Sequence, residues 1–182
     1  QSWVPELRAY GFTVNEMVTY RITDLSDEKA LISRFSENKR RQIKKAAQLI
    51  VDTALDADAF YAFHVSCLKK RHKPISYTYS YWQTLYNTCM VHQSGKLIGL
   101  RDRDGELTAA AFLVYDARTC YYLIPTYDPE KGSNGAGARL VLESIRFAAQ
   151  LHLAFDFEGS MVPGIANHYR QFGSTPTTYF SV

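Results

Sequence analysis

The stretch "KLIGLRDRDGELTAAAFLVYDARTCYYLIPTYDPEKGSNGAGARLVLESIRFAAQ", residues 96–150, constrains the fold more than any other part of the chain. It opens with three apolar runs in close succession. Asp104-Gly105, between the first two, is a hairpin signal, because a two-residue hairpin turn needs positive φ at its centre. A second tight connection spans Asp116 to Thr119. The runs therefore read as strands at 96–102, 106–115 and 119–125, an antiparallel meander. Gly132, Gly135 and Gly137 follow, and a helical pattern then runs from about Asn134 to Leu151. Its inner face is Ala138, Val141, Leu142, Ile145, Ala148 and Ala149, at the spacing of one buried stripe.

The flanks extend this pattern. "FTVNEMVTYRITDL" reads as a strand. Ser26 is the expected cap of a first helix, with Asp27 and Glu28 in the turn where the helix dipole favours acids. That helix passes Leu31, Ile32 and Phe35 and continues or restarts at Ser36 into the basic "SENKRRQIKKAAQL". "IVDTAL" is strand-like. Helices follow from Ala57 to His72 and after "PISYTYS", each with one apolar stripe. Behind the glycine segment come a short buried strand in "LAFDFEGS", a short helix in "VPGIANHYRQFG" and a last strand in "PTTYFSV". Pro163 stands at the start of that helix and Gly173 past its end, as helix termini prefer. From residue 50 the order is β-α-α-β-β-β-α-β-α-β, which implies an α/β chain with a mixed sheet and helices on both faces.

Composition narrows the function. A net charge of +3 is too mild to mark a nucleic-acid binder by itself. Cys67, Cys89 and Cys120 are scattered, with no metal-ligand spacing, so no metal site is expected. Such a set fits a reducing cytoplasm better than a disulfide framework. No apolar run approaches the roughly 18 residues of a membrane span, and no signal peptide is visible. The chain opens on "QSWVPELRAY" without Met and reads as a fragment or a trimmed chain.

The element order, "GSNGAG" before a helix and "NHYRQFG" near the end together resemble the GNAT superfamily of N-acyltransferases. "SENKRRQIKKA" and "FDFEGSMVPGIANHYRQFG" are similar to the Fem-type branch, built from two tandem GNAT-like domains. The resemblance implies a GNAT-like domain over 50–182. It makes 1–49 a strand–helix extension that leads from an N-terminal GNAT-like domain in a longer chain. It implies transfer of an acyl group, acetyl above all, from acyl-CoA to an amine on a small molecule or peptide. Two alternatives stand beside it: Fem-type aminoacyl transfer from aminoacyl-tRNA to a peptidoglycan precursor, and a non-catalytic interaction module.

The site residues follow from chemistry and resemblance together. Glycines ahead of a helix N-terminus let free backbone N–H groups approach a pyrophosphate. Gly132, Ser133, Asn134, Gly135, Ala136 and Gly137 are the expected loop. The family pattern has Arg or Gln where Gly132 stands, so this loop keeps its backbone donors and lacks one side-chain anchor. Ile124 and Thr126 flank Pro125 on the strand that would accompany the acyl chain, and Pro125 suits a strand edge. Tyr169, four residues before Gly173, matches the family's acid and would protonate the leaving thiolate. Glu158 is the expected general base, with its pKa raised by burial; Asp156 alternates with it along the strand. His168 is expected to point away from Tyr169. Ser160 lacks a nucleophile elbow. The basic run Lys39, Arg40, Arg41, Lys44, Lys45 reads as a solvated helix face, with tRNA contact as the alternative.

Overall fold

The computed structural model describes residues 3–131, 135–159 and 161–182. Among them, seven strands form one sheet: β1 (Asn15–Ile22), β2 (Ile50–Asp52), β3 (Gly95–Arg101), β4 (Leu107–Tyr115), β5 (Thr119–Tyr127), β6 (Ala154–Asp156) and β7 (Thr175–Ser181). The helices are α1 (Val4–Ala9), α2 (Glu28–Ser33), α3 (Glu37–Lys45), α4 (Ala57–Lys70), α5 (Tyr79–Val91), α6 (Ala136–Gln150) and α7 (Pro163–Arg170). The sheet order is β2-β3-β4-β5-β6-β1-β7. All its neighbours run antiparallel except β5 and β6.

The mixed sheet and the order from residue 50 match the expectation, with local differences. The cap of α2 is Asp27, one residue after Ser26. Its carboxylate accepts the N–H groups of Lys29 and Ala30, while the Ser26 hydroxyl donates to Asp24. β5 runs past Pro125 to Tyr127. The short helix α1 was not foreseen. β1 lies inside the sheet, bonded to β6 on one side and β7 on the other.

Two apolar layers clamp the sheet. On one face α2, α3, α6 and α7 share a core with Tyr20, Ile22, Leu100, Leu113, Phe155 and Phe157. On the other, α4 and α5 cover β3, β4 and β5 around Phe60, Trp82 and Phe112. Trp82 is wholly buried and satisfies its indole N–H on the Ala57 carbonyl at 3.0 Å. This second layer ends at β5. The same face of β6, β1 and β7 carries polar residues.

α3 is short but firmly seated. Ser36 caps it by accepting the Lys39 N–H, and the Ser36 N–H reaches the Gln171 carbonyl beyond α7. Phe35, Lys39, Ile43 and Ala46 fall on one stripe, turned toward α6 and α7. The seat is tight at Gly135, which caps α6 with φ +82°. A Cβ there would lie 2.2 Å from the Gln42 carbonyl oxygen of α3, whereas at Gly137 it would make only an ordinary contact with the Tyr127 ring.

Gly135→Ala is therefore expected to cost about 2 kcal/mol or more, from left-handed strain and overlap together. That lowers the thermal midpoint by roughly 4–8 °C. Gly137→Ala, inside the first helical turn, is expected to be neutral or mildly stabilising. Thermal denaturation of the two variants side by side checks this.

Candidate active site

β5 and β6 are paired only at Thr119–Ala154, Cys120–Phe155 and Tyr121–Asp156. β5 then continues for six residues with no β6 partner. β6 stops, and the Phe157 N–H turns to the Tyr20 carbonyl of β1. The result is a gap in the sheet, wedge-shaped and open toward the C-terminal end of β5. The β4–β5 register shifts between Phe112 and Val114, a bulge that reverses the side-chain alternation of β5. Cys120 and Tyr122, before the reversal, face the α6 layer. Ile124 belongs to the α4 layer. Thr126 is buried there too, its side chain hydrogen-bonded to the Cys67 sulfur. What these two can turn to the gap is backbone. Pro125 sits on this stretch, opposite Ala111 of β4.

On the uncovered face beside the gap lies a cleft of about 220 Å³, lined by Thr19, Arg21, Tyr121, Asp156, Glu158 and Tyr179. The registers put these residues on one side. Arg21 and Tyr121 are both direct cross-strand partners of Asp156, and Tyr179 pairs with Met17, two residues from Thr19. Asp156 is 2% exposed. Its carboxylate accepts hydrogen bonds from the Thr19 hydroxyl, the Arg21 Nε and the Glu158 N–H. Glu158 stands at the rim. It is exposed by surface area, but protein surrounds its carboxyl on the cleft side. That desolvation first, and the Asp156 charge second, push its pKa above the usual carboxylate range, with Arg21 opposing.

Tyr169 projects from α7 on the opposite side of the sheet. Its ring stacks on Phe157 at 4.5 Å and lies 5.9 Å from Tyr20. Burial, followed by the Glu158 charge, raises its pKa. Glu158 and Tyr169 are thus close enough to sense each other while belonging to opposite faces, with the β5–β6 gap between those faces. His168 turns away from this pair, as expected, and toward α3.

The glycine loop is described only from Gly135 onward. Gly132, Ser133 and Asn134 lie outside the described residues, as does Ser160. Ala136 and Gly137 form the first turn of α6. The Gln42 carbonyl of α3 is packed against this start.

The basic run corrects the expectation of a uniformly solvated face. Lys39 is 5% exposed. Its Nζ lies 3.0 Å from His168 Nδ1 and 3.4 Å from Gln42 Oε1, over the Phe172 ring. No carboxylate pairs with it among the described residues. Burial lowers the Lys39 pKa. Burial first, and Lys39 second, drive His168 down to about 4, so His168 is the neutral acceptor. Arg40, Arg41, Lys44 and Lys45 do face outward. The buried position was legible in the spacing, since Lys39 falls four residues after Phe35 and four before Ile43.

Four cleft residues were not singled out from the sequence: Thr19, Arg21, Tyr121 and Tyr179. The one signal was polar alternation along β1, where Thr19 and Arg21 interrupt Val18, Tyr20 and Ile22. No group of three or more His, Cys, Asp or Glu suited to a metal ion occurs among the described residues, and no described helix is long and apolar enough to cross a membrane. Burial raises the thiol pKa of Cys67, and that of Cys120 to about 12, so neither offers a ready thiolate.

Comparison with known proteins agrees with this architecture. The structure of FemX matches with a TM-score of 0.80 at 12% identity, covering 97% of this chain and 67% of that one. L-PGS from Bacillus licheniformis matches at 0.64 and 10% identity, covering 99% and 64%. A structure assigned to the GNAT family of acetyltransferases, from Novosphingobium aromaticivorans DSM 12444, matches at 0.58 and 14%, covering 93% and 63%. At such identities these likenesses speak for the fold alone, and the chain spans about two thirds of the length of each. No curated protein matches the sequence. The model of the acetyltransferase (GNAT) domain matches residues 33–170; that is more than half of the chain, which therefore belongs to the GNAT acetyltransferase family.

Proposed function

We propose that this domain transfers an acyl group, acetyl from acyl-CoA in the first reading, to an amine. The observation that carries the reading is the gap between β5 and β6, with a tyrosine on one side of the sheet and a raised-pKa carboxylate on the other. The donor approaches from the α6–α7 side and presents its carbonyl in the gap. Backbone groups at Ile124 and Thr126 accompany the acyl chain, and the N–H groups left without a β6 partner stabilise the oxyanion. Pro125 supplies no donor. The α6 start, with Gly135, Ala136 and Gly137, meets the pyrophosphate, together with Gly132, Ser133 and Asn134.

The acceptor lies in the cleft of Thr19, Arg21 and Asp156. Glu158, directly or through a water, takes a proton from the acceptor ammonium before attack, which frees the nitrogen lone pair, or from the neutral amine as it attacks. The amine nitrogen bonds to the acyl carbon, the tetrahedral intermediate collapses, and the bond to the leaving group breaks. Tyr169 gives its proton to the departing thiolate. A small-molecule or peptidyl amine in a cytoplasmic setting fits this chemistry.

A second reading takes aminoacyl-tRNA as the donor, as the Fem-type resemblance implies. One observation favours it: backbone of α3 occupies the space against Gly135, beside the very helix start that a CoA pyrophosphate would use. Outward Arg40, Arg41, Lys44 and Lys45 are then phosphate contacts, and Tyr169 protonates a ribose oxygen instead of a sulfur.

Calorimetric titration separates the donors. The first reading expects acetyl-CoA to bind at sub-millimolar concentration, and no heat at millimolar ligand ends it. The second expects aminoacyl-tRNA binding whose logarithm falls steeply with the logarithm of salt concentration. Failure of both leaves a non-catalytic interaction module. Tyr169→Phe is expected to lower kcat by about 10²-fold with either donor; turnover equal to the parent chain removes Tyr169 as the acid.

A further inference from the structure

Glu158 carries its side chain on a backbone of φ +70°, and Gly159 follows at φ +84°. Such left-handed geometry is unfavourable for a residue with a Cβ. At Gly159 the reason for glycine is direct, since a Cβ would lie 2.6 Å from the Val18 carbonyl oxygen. The turn is pressed onto β1 with no room to shift. Glu158 has no such relief and must be held by something else.

Asp156 does this. One carboxylate oxygen accepts the Glu158 N–H at 2.8 Å and the Thr19 hydroxyl; the other accepts the Arg21 Nε. β1 thereby immobilises the carboxylate on two sides, and its third hydrogen bond fixes the turn. A flexible rim would let the Glu158 side chain sample solvent. A rim tied to a buried carboxylate aims it into the cleft.

We infer that Asp156 is a positioning residue, whose carboxylate, braced by Thr19 and Arg21, clamps the left-handed backbone of Glu158 and directs that side chain at the acceptor amine. The inference rests on the reading of Glu158 as the base. Asp156 also sets the electrostatic surroundings, because its charge opposes ionisation of Glu158. The other titratable or charged groups facing the rim are Arg21 of β1, Tyr121 of β5 and Tyr179 of β7, and Tyr169 of α7 senses the Glu158 charge from the opposite face. Arg21 acts in the opposite sense to Asp156.

Two measurements on the whole chain test this. Carbon-13 NMR titration of the Glu158 carboxyl needs no substrate. In Asp156→Asn it is expected to show a pKa lower by about half a unit or more, since a neighbouring negative charge is gone. The acid limb of the kcat/KM profile, where Glu158 must be ionised to accept a proton, moves to lower pH by the same amount. Asn keeps an oxygen for the Glu158 N–H and the Thr19 hydroxyl, and Ala keeps none. Asp156→Asn is therefore expected to retain about tenfold more plateau kcat than Asp156→Ala. If Asp156→Ala does not fold, the NMR and pH-profile shifts in Asp156→Asn decide alone. A Glu158 titration in Asp156→Asn that coincides with the parent's overturns the inference. Glu158→Gln separates the two claims. A limb that survives it removes Glu158 as the base, and this inference with it. A limb that vanishes, with the Glu158 titration unmoved in Asp156→Asn, overturns the positioning role and leaves the base in place.

Discussion

Three residue pairs, Thr119–Ala154, Cys120–Phe155 and Tyr121–Asp156, carry the whole parallel contact between β5 and β6. The shortness of that ladder governs the rest of the molecule. A longer pairing would close the sheet and bury β5 on both edges. The ladder ends because β6 is drawn away at Phe157 to the Tyr20 carbonyl, while the bulge opposite Leu113 changes the course of β5. The two strands then diverge by hydrogen-bond geometry alone, and the gap needs no flexible segment to exist. Its two sides inherit different chemistry from strand alternation. Odd positions of β1 and Asp156 build a polar cleft, and the even positions with Phe155 and Phe157 build the core that seats Tyr169.

The α6–α7 side, from which the donor is proposed to approach, carries an unusual element. α3 is one of the most basic segments of the chain, yet it docks by an apolar stripe into which a lysine is inserted. Burying an ammonium without a carboxylate is costly. Here a neutral imidazole, an amide oxygen and an aromatic face share the charge. That arrangement holds α3 against α7, and the Gln42 carbonyl fixes it against α6. In the proposed reaction the donor lies beside this helix, which gives α3 as much bearing on donor choice as the glycine loop itself.

Much of the fold was legible in the sequence because its signals are local. Asp104-Gly105 needs only its own backbone preference to mark the hairpin, Pro163 its own φ to start α7, and α6 its own stripe to find the core. The central position of β1 was not legible, because alternation reveals which face of a strand is buried and not which strands lie beside it. That loss hid Thr19 and Arg21, since a strand assigned to an extension contributes nothing to a site. Glu158 and Tyr169 could be named from spacing and resemblance. What spacing did not show was the turn of Ile124 and Thr126 into the α4 layer, which depended on the bulge in the β4–β5 ladder and which no residue in "YYLIPTY" announces. The Gln42–Gly135 contact joins positions 93 apart and has no sequence signature beyond a glycine that the loop reading already explained.

The pairing of β1 with β7 has a consequence for how the chain is made. Residues 15–22 leave the ribosome early but find both sheet neighbours late, the first at 154–156 and the second at 175–181. Until then β1 is a strand with two unpaired edges and an apolar face, waiting through synthesis of most of the domain. Contacts so distant in sequence close slowly, and unpaired edges of that kind attract other chains. The polar Thr19 and Arg21 that later build the cleft are also the residues that keep one face of the waiting strand hydrated.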